Sequence, residues 1–172
     1  MTDTQKKPLW KNELVWLFLL TSGLFAILYS KFILGGYAYV FTDTGADTMQ
    51  INYAQYGLFS SLFRSGESGY VLQAGLGMDV SSYYPAYLIP YNLLILLAPQ
   101  RLLPWAVLAS AYLKMITISL VGYLFYRKLM QDGIGTMAAA LAWTFSGYVI
   151  LWGQHYGFCT CMALFTVFMY FL

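Results

Sequence analysis

A chain of 172 residues with 60% apolar and 9% charged side chains is too oily for a soluble domain of that length, which carries roughly 25% charged residues. The formal charge of +2 is too small to suggest a nucleic-acid partner. The apolar residues fall instead in blocks long enough to cross a bilayer, so the expected fold class is an all-α membrane protein, a polytopic helical bundle.

The chain opens on a polar tail, residues 1–13, that carries Lys6, Lys7 and Lys11. The apolar run that follows, residues 14–34, is about 21 residues long, beyond the roughly 7–15 of a signal peptide's apolar region. At ~1.5 Å per residue it covers roughly 30 Å, the hydrocarbon thickness. It reads as an uncleaved first transmembrane helix, with Lys31 snorkelling to the headgroups.

Residues 35–104 form a long polar-and-apolar connection holding Asp43, Asp47, Glu67 and Asp79 against Arg64 and Arg101. Within it, residues 50–63 place Ile51, Tyr53 or Ala54, Leu58 and Leu62 at helical spacing, which predicts an amphipathic helix lying on the membrane surface. "RSGESG" ends that helix, and "GLGMD" makes a glycine-rich turn. Residues 83–97 are apolar but carry Pro85 and Pro90, with Pro99 just beyond. They are too short for a span and are expected to lie in the interface or to dip in and return.

Residues 106–126 and 134–152 are each long enough to span; the first ends in Arg127 and Lys128 and the second has no charge. Residues 158–172 begin a fourth span and stop inside it, so the chain is expected to be the N-terminal part of a longer protein. Basic residues favour the cytoplasmic side. With Lys6, Lys7 and Lys11 inside and Arg127 with Lys128 inside, two spans separate the basic clusters, and residues 35–104 become one large extracytoplasmic loop. Cys159 and Cys161, two apart, point to nearly opposite sides of a helix and read as small apolar packers, not as a disulfide or metal pair.

Four places could carry chemistry. Asp43 and Asp47 follow the outer end of the first span and should lie near the headgroups. Asp47 or Thr48 could cap the helix beginning at Met49, or a carboxylate there could serve as a general base, its pKa raised by partial desolvation. The acid spacing matches no strong metal motif, EF-hand included. Lys114 sits near the middle of a span, where a charge marks a functional site by default and would suit a lipid phosphate. A structural pairing explains it equally well. The single histidine, His155, lies in "WGQHYGF", either packed with Trp152 and Tyr156 in an aromatic belt or bonded to a polar ligand. There is no P-loop, no dinucleotide fingerprint, no HExxH and no GxSxG.

The order of the pieces carries a resemblance. "GADTMQINYAQY" after a first span, then "GLGMDVSSYYPAYLIPYNLLILLAP", "YLKMITISLVGYLFYRKL" and "AALAWTFSGYVILWGQHYGF" resemble the N-terminal region of the bacterial YfhO family of polytopic membrane proteins. The resemblance covers nearly all of the chain from about Gly35 onward, although the family's members are several times longer. It implies a GT-C-like glycosyltransferase architecture with a polyprenyl-phosphate sugar as donor and a cell-envelope polymer, such as a teichoic acid, as acceptor. By the same resemblance Asp47 is the leading catalytic acid and Asp43 the second. Gln50, Asp79, Lys114 and His155 then form the substrate-binding set. No cofactor is fixed, and a divalent cation is left open. The location implied is the bacterial cell membrane, multi-pass, with a cytoplasmic N-terminus. Competing expectations from the residues alone are a non-catalytic transporter or flippase and a structural membrane subunit.

Overall fold

Helix α1, Glu13–Leu28, begins where the Asn12 side chain accepts a hydrogen bond from the Leu14 N–H at 3.0 Å. In the computed structural model, which describes residues 12–41, 47–67, 69–72, 77–79, 81, 89–130 and 132–172, the chain is mostly helical. The apolar run predicted over residues 14–34 is two helices. The first stops at Tyr29, whose backbone leaves the helical conformation, and α2, Ser30–Leu34, continues to Gly35 and Gly36. Gly36 sits at φ 69, a left-handed conformation that suits glycine and turns the chain away.

The next helical stretch starts irregularly. Thr48–Tyr53 is a π-helical turn, and α3, Ala54–Ser65, follows it directly. Gly66 at φ 73 closes α3, with the Glu67 N–H bonded to the Leu62 carbonyl at 3.1 Å, a Schellman-type end. A short antiparallel hairpin comes next: β1, Tyr70–Val71, pairs with β2, Met78–Asp79, with Tyr70 opposite Asp79. Pro90–Asn92 is a 3-10 turn that leads into α4, Leu93–Leu97.

The buried face of α3 differs from the stripe expected from spacing. Tyr56, Phe59, Ser60 and Leu62 are buried, whereas Ile51 and Ala54 are exposed and Tyr53 and Leu58 half-buried. Two causes account for the rotation. The π turn shifts the helical phase ahead of α3, and α3 packs on α4 and not only on a flat interface. Phe59, Leu62, Val71 and Leu96 form a small core of their own there. Each such fully buried side chain is worth roughly 1.5–3 kcal/mol.

Helix α5, Leu103–Leu129, is the centre of the bundle and packs against α1, α6 and α8. It starts with Pro104 in its first turn and ends with Arg127 and Lys128, the arrangement its dipole favours. Helix α6, Gly133–Thr144, is capped by Asp132, whose carboxylate accepts from the Ile134 and Gly135 N–H groups. The segment predicted as one span over residues 134–152 is interrupted: α6 ends at Phe145, and α7, Gly147–Leu151, restarts after Ser146. A 3-10 turn, Trp152–Gln154, leads into α8, Tyr156–Phe171.

The pairing of α1 with α5 is antiparallel. Glu13 meets Tyr123, Thr21 meets Ser119 and Ser22 meets Tyr112. Helix α8 instead runs parallel to α5, with Tyr156 beside Lys114 and Tyr170 beside Lys128. Glu13, Arg127, Lys128 and Asp132 therefore share one end of the bundle. Residues 35–41, the π turn and the α7–α8 connection share the other.

Two helical stretches, Gln100–Leu129 and Gly133–Gln154, are long and apolar enough to cross a membrane, and α1 and α8 are apolar but shorter. Helix α1 buries only Leu17, Thr21 and Phe25, one stripe toward α5, and exposes Leu19, Leu20, Ile27 and Leu28 on the rest of its surface. A helix apolar on all sides with one buried stripe suits a lipid surround. Cys159 is buried, as a small packing residue would be, whereas Cys161 is exposed.

Candidate functional site

Three segments converge at the end of the bundle opposite Arg127 and Lys128. The Thr48 hydroxyl donates to the Gln154 carbonyl at 3.3 Å, tying the π turn to the α7–α8 connection. Tyr39 donates to the Gly153 carbonyl at 3.3 Å, and Tyr156 donates to the Tyr39 carbonyl. Tyr56 of α3 stacks on Tyr156 of α8 at 5.4 Å between centroids, and its hydroxyl bonds to the Asn92 side chain at 3.3 Å. Burial first, then the neighbouring Tyr29, pushes the Tyr39 phenol far above its ordinary range. The Tyr39 phenol therefore stays protonated and free to donate to the Gly153 carbonyl, and the packed rings form an aromatic floor.

Asp47 lies half-buried at the start of this floor, one residue before Thr48. Its backbone is already helical, at φ −57 and ψ −38, and its carboxylate makes no capping bond. The N-cap reading of Asp47 therefore does not hold in this structure; a cap residue needs extended backbone and a side chain turned back onto the helix. Its carbonyl accepts from the Asn52 side chain at 3.2 Å, across the π turn. Gln50 is exposed on the same turn. His155 is half-buried between Trp152 and Phe158, at 5.7 and 5.5 Å between ring centroids, an aromatic packing in which Phe158 stands where Tyr156 was expected. Asp43 lies outside the described residues.

Lys114 lies beneath the floor, roughly 16 Å along α5 from its start. Only 2% of it is exposed, and its ammonium donates to the Tyr156 carbonyl at 3.0 Å. The Tyr56–Tyr156 stack closes it off from the end where Asp47 sits. Asp79 is elsewhere. Its neighbour Met78 packs with the Phe59 and Leu62 cluster, so roughly 20 Å of helix separates it from Asp47. The structure thus gathers Asp47, Gln50 and His155 at one end, sets Lys114 below them, and leaves Asp79 apart.

Several participants gave no signal in the sequence. Tyr39, Tyr56, Asn92 and Tyr156 come from four separate segments, and only tertiary packing brings them together. Ser110 was legible in principle. It stands four residues before Lys114, hence on the same helix face, and it is 1% exposed with no hydrogen-bond partner among the described residues. Among the described residues no group of three or more His, Cys, Asp or Glu side chains is assembled for a metal.

Comparison with protein-family models, with characterised proteins and with solved structures yields no match.

Proposed function

We propose that the chain is the N-terminal region of an integral-membrane glycosyltransferase of the GT-C type, one that resembles the YfhO family and moves a sugar from a polyprenyl-phosphate carrier to a cell-envelope acceptor. The observation that supports this reading best is the Thr48–Gln154 hydrogen bond. It holds Asp47 beside the loop of His155 at one end of a strongly apolar bundle. The basic residues Arg127 and Lys128 lie at the other end, which the positive-inside rule assigns to the cytoplasm. Asp47 then faces outward near the headgroups, where a lipid-linked sugar presents its phosphate.

In this reading Asp47 takes the proton of an acceptor hydroxyl. The hydroxyl oxygen forms the new bond to the sugar's anomeric carbon, and the bond from that carbon to the carrier phosphate breaks. The π turn that carries Asp47 is a rare geometry found often at functional sites. Lys114 reaches a donor phosphate only if Tyr56 and Tyr156 part.

The test is Asp47→Asn in the full-length protein, read by sugar transfer in membranes and by the amount of inserted protein. Loss of transfer at unchanged insertion supports the reading; unchanged transfer removes Asp47 as the base. A second reading, a transporter for lipid-linked or small polar substrates, draws on the helix break at Phe145 and Ser146, where the buried Ser146 hydroxyl has no partner among the described residues. Substrate movement in proteoliposomes without a new glycosidic bond would favour that reading. Tolerance of alanine at all the polar sites would leave a structural subunit.

A further inference from the structure

Lys114 and Ser110 line a cavity of about 10 Å³ together with Tyr56, Gly153, Tyr156 and Cys159. That is room for one water-sized particle. The cavity wall is largely apolar, with Lys114 and Ser110 among its few polar groups. The Lys114 ammonium has three N–H bonds to give, and among the described residues its one acceptor is the Tyr156 carbonyl. The Ser110 hydroxyl, one turn earlier on the same helix face, has no partner among them. The first turn of α8, Tyr156 to Cys159, also borders the cavity, and a helix N-terminus carries partial positive charge. The ammonium is the one formally charged group among the side chains lining the space, and none of them is a carboxylate.

A bare ammonium in such a place is costly. A buried charge needs an opposite charge as well as hydrogen bonds, and the one acceptor shown for Lys114 is a neutral carbonyl. A water molecule would satisfy Ser110 and leave the charge uncompensated. A monatomic anion satisfies both, accepting from Lys114 Nζ and from the Ser110 hydroxyl. Phosphate and sulfate are too large for the space. We propose that this cavity is a binding site for one small monovalent anion of the halide class, held between Lys114 and Ser110 beneath the Tyr56–Tyr156 stack. The site is independent of any transferase activity. It gives the mid-span lysine a counter-ion that no side chain lining the cavity supplies.

The experiment uses the full-length protein in detergent micelles, with thermal unfolding followed at equal ionic strength in chloride, bromide, gluconate and sulfate. Chloride and bromide are expected to raise the melting temperature by a few degrees in a saturable way, while gluconate and sulfate do not. Lys114→Met replaces the ammonium by an apolar chain of similar length, and the halide dependence should vanish. Ser110→Val keeps the charge, fills the cavity and should weaken the halide effect by about tenfold. Crystals grown in bromide should show anomalous density between Lys114 Nζ and Ser110 Oγ. Equal stabilisation by gluconate or sulfate, halide dependence retained in Lys114→Met or undiminished in Ser110→Val, or a cavity that takes up water and no bromide would each overturn the proposal.

Discussion

The hydroxyls of Thr21 on α1 and Ser119 on α5 lie 2.7 Å apart, and both residues are wholly buried. Lipid tails are as apolar as the side chains they surround, so helices in a bilayer gain little from burying leucine against leucine. Polar bonds of this kind then decide which faces meet. Thr21→Val leaves the Ser119 hydroxyl without its partner and should cost about 1 kcal/mol, in the range of interhelical hydrogen bonds in membranes. Thr21→Val with Ser119→Ala should cost less than the two single changes summed, because the second removes the orphan that the first creates. A double-mutant cycle on the unfolding free energy measures it, and strict additivity would show that the pair does not couple.

Glu13 joins the other end of the same helix pair. Its carboxylate accepts a hydrogen bond from the Tyr123 hydroxyl and lies against Gly133, where any Cβ would run into it. The carboxylate is the far end of a flexible chain, so Gly133→Ala forces it to swing away. The consequence is loss of the Tyr123 bond, about 1–3 kcal/mol for a bond to a charged group. Tyr123→Phe should then add nothing to Gly133→Ala. Two costs that add in full would mean that the alanine is accommodated without moving Glu13.

Helix α3 is anchored by the buried Ser60 hydroxyl, which donates to the Ala98 carbonyl at 2.7 Å. Ala98 ends α4 with extended backbone, and its carbonyl has left the helical ladder. Ser60→Ala exposes that carbonyl to an apolar neighbourhood at a cost of about 1–3 kcal/mol. Because α3 and the hairpin share their own small core, the loss should be local. Hydrogen exchange should accelerate over Ala54–Ser65 and stay unchanged in α5. Uniform acceleration in both would show that α3 opens only with the whole bundle.

The sequence carries some of this structure plainly and some not at all. Block hydropathy places the helices at residues 13–34, 103–129, 133–154 and 156–171 to within a few residues, because the apolar runs are long. It misses the breaks at Tyr29 and at Phe145 to Ser146, since no proline or glycine stands at Tyr29, Phe145 or Ser146. It also misses the π turn, which no residue pattern announces, and with it the rotation of α3. The site divides in the same way. Lys114 stands out because a charge amid apolar residues is expensive. Tyr39 and Tyr156 do not, since the chain has 16 tyrosines and only tertiary contact marks these two. Asp47 is visible as an acid, but its distance from Asp79 depends on how the segment after α3 folds back.

Asp79 offers a prediction with a definite sign. The Ser81 hydroxyl donates to its carboxylate at 2.7 Å and the Ser81 N–H to the same oxygen at 3.0 Å. Those two bonds, the hydroxyl's first, hold the carboxyl below its ordinary value although it is fully exposed. A carboxyl depressed in the folded chain contributes stability above its unfolded pKa of about 4 and loses it as pH falls through the folded value. The turn after β2 should therefore be firm at neutral pH and loosen only in acid. Ser81→Ala removes the hydroxyl and keeps the N–H, so the carboxyl should titrate higher than in the parent yet still below the ordinary range. Carboxyl-carbon NMR of the two proteins reads this directly. An unchanged titration would show that the hydroxyl is not what holds Asp79 ionised. If Asp79 binds substrate, it does so as an acceptor, and Ser81→Ala should leave that capacity intact at neutral pH while Asp79→Asn removes it.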